Sequence, residues 1–336
     1  MLKKIFFLFL SLIPNYPSAL LSTPFLDFTR AEKKKLEQAF YRAVEKGEES
    51  DARKCFSCID RACLYTIFRT GKTLLHKAGS YAVAAFLLEQ GISVNEQDEH
   101  GDTALHNAPR REIAQLLLAR NANSYARNQK GHVPLHTAAL ADRSDVLEEL
   151  LHTKDIDYKN IQDDEGKTAL ALAAASGFVQ AAHLLLQDDA NCNLTDASGK
   201  IPLHWAALAH APKVIDLLLA SGAAINALDR TGNTPIWYGK KHKETIHILA
   251  AHKANLSFIY EGMTLLHWAV KHEAPLFYRQ PDVLPPLTCL LLDYGADREA
   301  IDSKERTPYQ LAEDLGQNGA IKDVLVNYQP IPVPAL

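Results

Sequence analysis

Gly199 to Thr231 reads G-K-I-P-L-H-W-A-A-L-A-H-A-P-K-V-I-D-L-L-L-A-S-G-A-A-I-N-A-L-D-R-T, and Gly232 then opens the same frame again. Pro202 suits the first turn of a helix, where its missing N–H is no loss and its φ is already helical. Leu203, Ala206 and Ala207 give that short helix a thin apolar face. Val214, Ile215, Leu217, Leu218 and Leu219 give a second helix a wide one before Gly222 stops it. Two such helices cannot bury those faces against each other alone, so the stretch predicts a unit that is stable only among neighbours.

The neighbours follow in both directions. Gly71, Gly101, Gly131, Gly166, Gly199, Gly232 and Gly262 open the frame at spacings of 30, 30, 35, 33, 33 and 30 residues, and Glu305 holds the glycine position of an eighth copy. After each comes a variant of one tetrapeptide: T-L-L-H ending at His76, T-A-L-H at His106, V-P-L-H at His136, I-P-L-H at His204 and T-L-L-H at His267. Three copies lose the histidine and end at Ala171, Trp237 and Gln310. The second half recurs as Leu116 to Leu118, Leu184 to Leu186, Leu217 to Leu219 and Leu290 to Leu292, with Gly-Ala-Ala-Ile-Asn at 222–226 and Gly-Ala-Asp at 295–297.

This frame resembles the ankyrin repeat, whose signature T-P-L-H-x-A precedes a leucine-rich second helix and G-A-D-x-N. The likeness covers residues 71–328. It implies an all-α solenoid of stacked helix-turn-helix units with β-hairpin-like loops: a degenerate capping repeat at 23–70, seven repeats over 71–304, a closing repeat at 305–328 and a Pro-rich tail at 329–336. It also implies that His76, His106, His136, His204 and His267 serve as hydrogen-bonding ties between a repeat and its neighbour's loop.

Departures from the frame locate the irregular parts. Copies opening at Gly71, Gly101 and Gly232 are about three residues short between the two helices, and the third has two extra residues near Lys154 to Asn160. The seventh carries ten extra residues within Glu273 to Pro286, E-A-P-L-F-Y-R-Q-P-D-V-L-P-P, where four prolines predict a projecting loop rather than continuous helix. Thr29 and Glu32 read as a capping box ahead of the face Leu36, Phe40, Ala43 and Val44, and Ser50 to Ile59 reads as the next helix. At the start, Lys3 and Lys4 precede the apolar run Ile5 to Ile13, so residues 1–22 are expected to act as a signal peptide, too short to span a bilayer as a mature helix.

A formal net charge of −4 carries no basic stripe, so nucleic acid is not an expected partner. The sequence holds no H-E-x-x-H, G-x-S-x-G or P-loop, and His242, His247 and His252 recur at a spacing that does not keep ligands on one helical face, so no catalytic residue, cofactor or metal is expected. Cys55, Cys58 and Cys63 leave three readings open: one disulfide, buried thiols, or a metal site short of a fourth ligand. Cys192 reads as core and Cys289 as partly exposed.

The resemblance implies binding of a partner protein through loop tips and inner helices, which directs attention to Arg110, Arg111, Lys130, His132 and Arg230. Where other copies place Asp98, Asn128, Asp163, Asp196, Asp229 and Asp302 at the tip, the copy at Gly262 has Ile259, flanked by Phe258 and Tyr260. One reading makes this trio an interface anchor together with Phe277, Tyr278 and Arg279 of the insertion; the other packs Phe258 and Ile259 beneath that loop. The resemblance and the N-terminal signal together point to an exported bacterial factor that engages a host protein. The alternative is a periplasmic accessory protein that protects or inhibits a resident enzyme.

Overall fold

The computed structural model describes residues 30–56, 72–152, 157–277, 286–316 and 319–331, with the backbone alone at 30–34 and 274–277. The expected signal segment, Thr29, Cys58, Cys63, Tyr278 and Arg279 lie outside the described residues, as do the side chain of Phe277 and the end of the Pro-rich tail. The chain divides into two units, Met1–Gln129 and Lys130–Leu336.

In the first unit, helix α1 (Arg30–Lys46) packs on α2 (Glu49–Phe56), and α2 packs on α3 (Tyr81–Glu89). Phe40, Phe56 and Phe86 join these three helices, with ring centroids 6.2 and 5.2 Å apart. Ser80 caps α3 by accepting from the Val83 N–H and itself donates to the Gly47 carbonyl at 2.9 Å, which ties the first repeat to the one before it. The residues missing from the first two copies come out of the short helix. It shrinks to one 3₁₀ turn at Leu74–Lys77, and to turns at 104–107 ahead of α4 (Arg111–Ala119).

The second unit is a series of paired helices: α5 (Pro134–Leu140) with α6 (Ser144–Leu151), α7 (Ala169–Ser176) with α8 (Val179–Gln187), α9 (Pro202–Leu208) with α10 (Pro212–Ala220), α11 (Pro235–Tyr238) with α12 (Lys243–Ala251), α13 (Leu265–Phe277) with α14 (Pro286–Asp293), and α15 (Pro308–Asp314) with α16 (Ala320–Asn327). Pro134, Pro202, Pro235 and Pro308 each stand at the first helical position, where no N–H is needed. Short helices α5, α7, α9 and α11 pack in sequence, and so do the long ones from α6 to α16. Leu203, Val214, Ile215 and Leu218 are fully buried, so each repeat's apolar stripe is covered by the next. Among the described residues there is no β-sheet, only isolated bridges such as Gln162 with Thr168.

The insertion differs from the expected loop at its start. Helix α13 runs on through Pro275 to Phe277. Pro275 removes one helical bond, and the carbonyl it frees belongs to exposed Lys271, where water can replace the lost donor. The helix is held there by Glu273, which is buried and accepts from the Leu287 N–H at 2.7 Å, the Thr288 N–H at 2.9 Å and the Thr288 hydroxyl at 2.7 Å. One carboxylate thus caps the first turn of α14 from the far side of the insertion. Cys289, expected to be partly exposed, is buried on α14 because the residues just ahead of the leucine run turn inward there. Cys192 is buried as expected.

Candidate functional site

The tips at Gly101, Gly166, Gly199, Gly232 and Glu305 are each closed by an aspartate. Asp163, Asp196, Asp229 and Asp302 use Oδ1 to accept the N–H groups two and four residues on, at 2.8–3.0 Å, and in the first unit Asp98 does the same. Successive tips are joined by backbone rungs: Asp164 N–H to the Lys130 carbonyl at 3.2 Å, Ala197 to Glu165 at 2.8 Å, and Arg230 to Ser198 at 3.0 Å. At Gly199 the fit is close enough that an added Cβ would meet the Arg230 backbone nitrogen at 2.8 Å.

The signature histidines brace these tips from below. His204 accepts the Ile201 N–H at Nδ1, 3.1 Å, and donates from Nε2 to the Asn233 carbonyl of the next tip, 3.1 Å. His76 reaches the Asp102 carbonyl at 2.7 Å, His136 the Lys167 carbonyl at 3.2 Å and His267 the Arg306 carbonyl at 2.8 Å. His106 accepts from the Thr103 N–H at 3.0 Å. Burial holds His76, His204 and His267 below the ordinary imidazole pKa.

One pair of departures forms a single packing unit. Trp237 takes the histidine position of its copy, and the tip it would have braced has no aspartate. That tip closes instead as a two-residue turn in which Tyr260 and Met263 exchange hydrogen bonds at 2.7 and 2.9 Å, with Glu261 and Gly262 at φ of 50° and 79°. Tyr260 stacks on Trp237 at 4.5 Å, and its hydroxyl is hydrogen-bonded to that of Thr234. Burial pushes the Tyr260 phenol up to about 12. An aromatic stack and a hydroxyl pair therefore replace the imidazole brace. The shortened tip leaves a missing rung: among the described residues no backbone bond joins it to the tip at 229–233, and a Cβ on Gly232 would meet nothing within 4 Å.

The expected trio is thereby split. Ile259 is 58% exposed and Phe258 half-buried, whereas Tyr260, expected on a fingertip, is 2% exposed because it fills the space beside Trp237. His132 is also buried rather than presented, held by the Asp163 carboxylate at 3.2 Å. Arg110, Lys130 and Arg230 are exposed and Arg111 is half-exposed. Cys55 is buried.

The short helices of the second unit carry a different and continuous feature. The residue after the signature position is Trp205, Tyr238 and Trp268 in three consecutive copies. The tip aspartates that close the loops with Oδ1 hold two of these rings with Oδ2: Asp196 accepts the Trp205 indole N–H at 2.8 Å, and Asp229 accepts the Tyr238 hydroxyl. Both carboxylates stay below the usual value, because these hydrogen bonds outweigh the opposing effect of burial. In the first unit the corresponding atoms, Asp98 Oδ2 and Asn107 Nδ2, make no hydrogen bond.

Lysines lie on the rings. Lys167 Nζ is 4.4 Å from the Trp205 ring centre. Lys200 sits 5.5 Å from Trp205 and 5.2 Å from Tyr238, and Lys240 lies 3.6 Å from Trp237 and 5.6 Å from Trp268. His272 stacks on Trp268 at 4.1 Å. Reading the tips and inner alanines passed over this stripe; the signal was present in the sequence as an aromatic at one frame position three times running.

Comparison with models of protein families matches the chain to the family described as Ankyrin repeats (3 copies), over residues 75–160, 135–229 and 203–280. The chain belongs to the ankyrin-repeat family. Among curated proteins, none matches it. Ankyrin repeats are in general modules of protein–protein interaction. Among the described residues of this ankyrin protein, no group of three or more histidine, cysteine, aspartate or glutamate side chains could hold a metal ion, and no helix is long and apolar enough to cross a membrane.

Proposed function

We propose that this ankyrin protein is a non-catalytic binder that grips a partner protein with the short-helix face of its second unit. The supporting observation is the run of Trp205, Tyr238 and Trp268, the first two half-exposed and oriented by tip aspartates, the third buried at its end, with lysines over all three. Aromatic side chains fixed by hydrogen bonds give large contact area at low entropic cost, which is the composition of binding hot spots. Exposed Arg230, Ile259 and Lys271 would form its rim.

The test is capture by the full chain with crosslinking, comparing wild type with the double variant Trp205→Ala and Tyr238→Ala. Loss of the partner from a variant with an unchanged helical circular-dichroism spectrum supports the proposal, and undiminished capture refutes it. Export of the chain, with a host protein as partner, is part of the same proposal and rests on the basic and apolar stretch at 1–22. Fractionation of a tagged chain checks it. Product outside the cell and lacking the N-terminal segment is expected, whereas retention beside a resident periplasmic enzyme would favour the protective role.

A further inference from the structure

The lysine and aromatic face has a definite charge character, and it comes from how its carboxylates are used. Asp196 is 6% exposed and is occupied by the N–H groups of Ser198 and Lys200, the Ser198 hydroxyl and the Trp205 indole. Asp229 is equally buried and is occupied by Thr231, Asn233 and Tyr238. These two carboxylates are turned inward and saturated, while Glu165 beside Lys167 and Glu261 near Lys240 stay exposed. The ammonium groups of Lys167, Lys200 and Lys240 lie over the rings, and of the three only Lys167 is close-paired to an exposed carboxylate, Glu165, so this strip keeps local positive charge at Lys200 and Lys240.

The lysines differ in how far they are already satisfied. Lys167 donates to Glu165 at 2.6 Å, and Lys200 donates to the Ser198 hydroxyl at 3.1 Å, with Asp229 at 3.9 Å. Lys240 has ring contacts to Trp237 and Trp268, but no hydrogen-bond or ion-pair acceptor among the described residues. It is half-buried, and burial pushes its ammonium below the usual lysine value against the opposing charge of the exposed Glu261 on the shortened tip. An ammonium without an acceptor, partly removed from water on an indole face, gains more from an arriving carboxylate than a fully solvated lysine does.

We infer that the segment gripped by this face is an acidic peptide, laid across the half-exposed rings of Trp205 and Tyr238, with a carboxylate received by Lys240 over the buried Trp268 and a second by Lys200. This deepens the proposed function and rests on it. Nucleic acid fits less well, because affinity for a phosphate backbone needs many cations, and the strip offers a few lysines within an acidic protein.

All three tryptophans of the chain, Trp205, Trp237 and Trp268, touch these lysines, so intrinsic fluorescence reads this face without a label. The full chain is titrated with a short peptide of alternating glutamate and valine, with the same peptide carrying glutamine for glutamate, and with a single-stranded oligonucleotide of matched charge. The glutamate peptide is expected to give a saturable change that weakens with salt. The glutamine peptide should bind about tenfold or more weakly, the loss of one charge-assisted hydrogen bond. Lys240→Gln should weaken the glutamate peptide to a similar degree with an unchanged melting midpoint, and Lys240→Arg should restore most of the binding.

Equal binding of the two peptides, preference for the oligonucleotide, or an unaffected Lys240→Gln variant overturns the inference. If the glutamate peptide gives no signal while the Trp205 and Tyr238 double variant still loses its crosslinked partner, the acidic ligand is wrong and the binding face stands. If the peptide binds that double variant as well as wild type, the face itself is wrong.

Discussion

An imidazole that accepts a backbone N–H at Nδ1 while facing a carbonyl at Nε2 must be neutral, with its proton on Nε2, and this is the arrangement at His76, His136 and His204. Protonation would place an N–H against the backbone N–H. The sign of the pH dependence follows. For His76, His204 and His267 the folded value lies below the ordinary 6.5, so the unfolded chain takes up protons first. Their contribution is complete above pH 6.5 and is lost as pH falls through the folded values. A second loss belongs to Asp302. Burial opposes its ionisation, but Arg306 and the loop N–H groups hold it at about 2 against an ordinary 3.8, so its contribution is present above 3.8 and lost towards 2. Glu273, raised by burial above 4.5, works in the opposite direction and regains a little stability as pH falls. Thermal melts should show a level midpoint from pH 8 to 7 and a decline beginning near 6.5; a midpoint that stays level to pH 5 would contradict the neutral-imidazole assignment.

Glycine supplies a second comparison at this scale. Gly199 and Gly232 have φ of 81° and 78°, so alanine is strained at either, by about 1 kcal/mol. Only at Gly199 does the new Cβ also strike the next tip. Gly199→Ala should therefore lower the urea midpoint clearly more than Gly232→Ala, with m unchanged in both.

Among the elements, the paired helices were legible because their apolar spacing repeats and each repeat must be covered by the next. Leu218 tests the pairing: fully buried on α10, it should cost about 2–5 kcal/mol when replaced by alanine, measured by chemical denaturation. The start of the insertion was not legible. Proline density argued against helix, while the opposing term, a buried Glu273 bonded across the insertion to Leu287 and Thr288, is a contact between positions that local patterns do not relate. Glu273→Gln keeps the shape but turns an amide N–H towards a backbone N–H, of Leu287 or of Thr288, and should destabilise by about 1–3 kcal/mol. Tyr260 escaped reading for a similar reason. An aromatic near a tip looks like a contact residue until the neighbouring Trp237 is seen to need a ring in the place of a histidine's carbonyl partner.

At the scale of the whole molecule, the family and the fold class followed from register alone, since eight copies of one frame leave little freedom in how the helices pair. The binding face was half visible. Trp205, Tyr238 and Trp268 share a frame position, but the fixing of the first two by Asp196 and Asp229, the burial of the third and the cover of lysines are properties of the folded repeats. Removing the charge at Lys240 should change recognition and leave the fold intact, while removing Leu218 should do the reverse. Melting curves and peptide titration on the two variants separate these roles.

The joint between Trp237 and Tyr260 bears on how such a chain can change over time. At His76, His136, His204 and His267 the histidine meets a backbone carbonyl, which every amino acid supplies, so a new neighbour would still offer it a partner. At the joint a side chain meets a side chain. A crossover landing between these two copies would part an indole from its phenol, and the pair must be inherited together as one indivisible block.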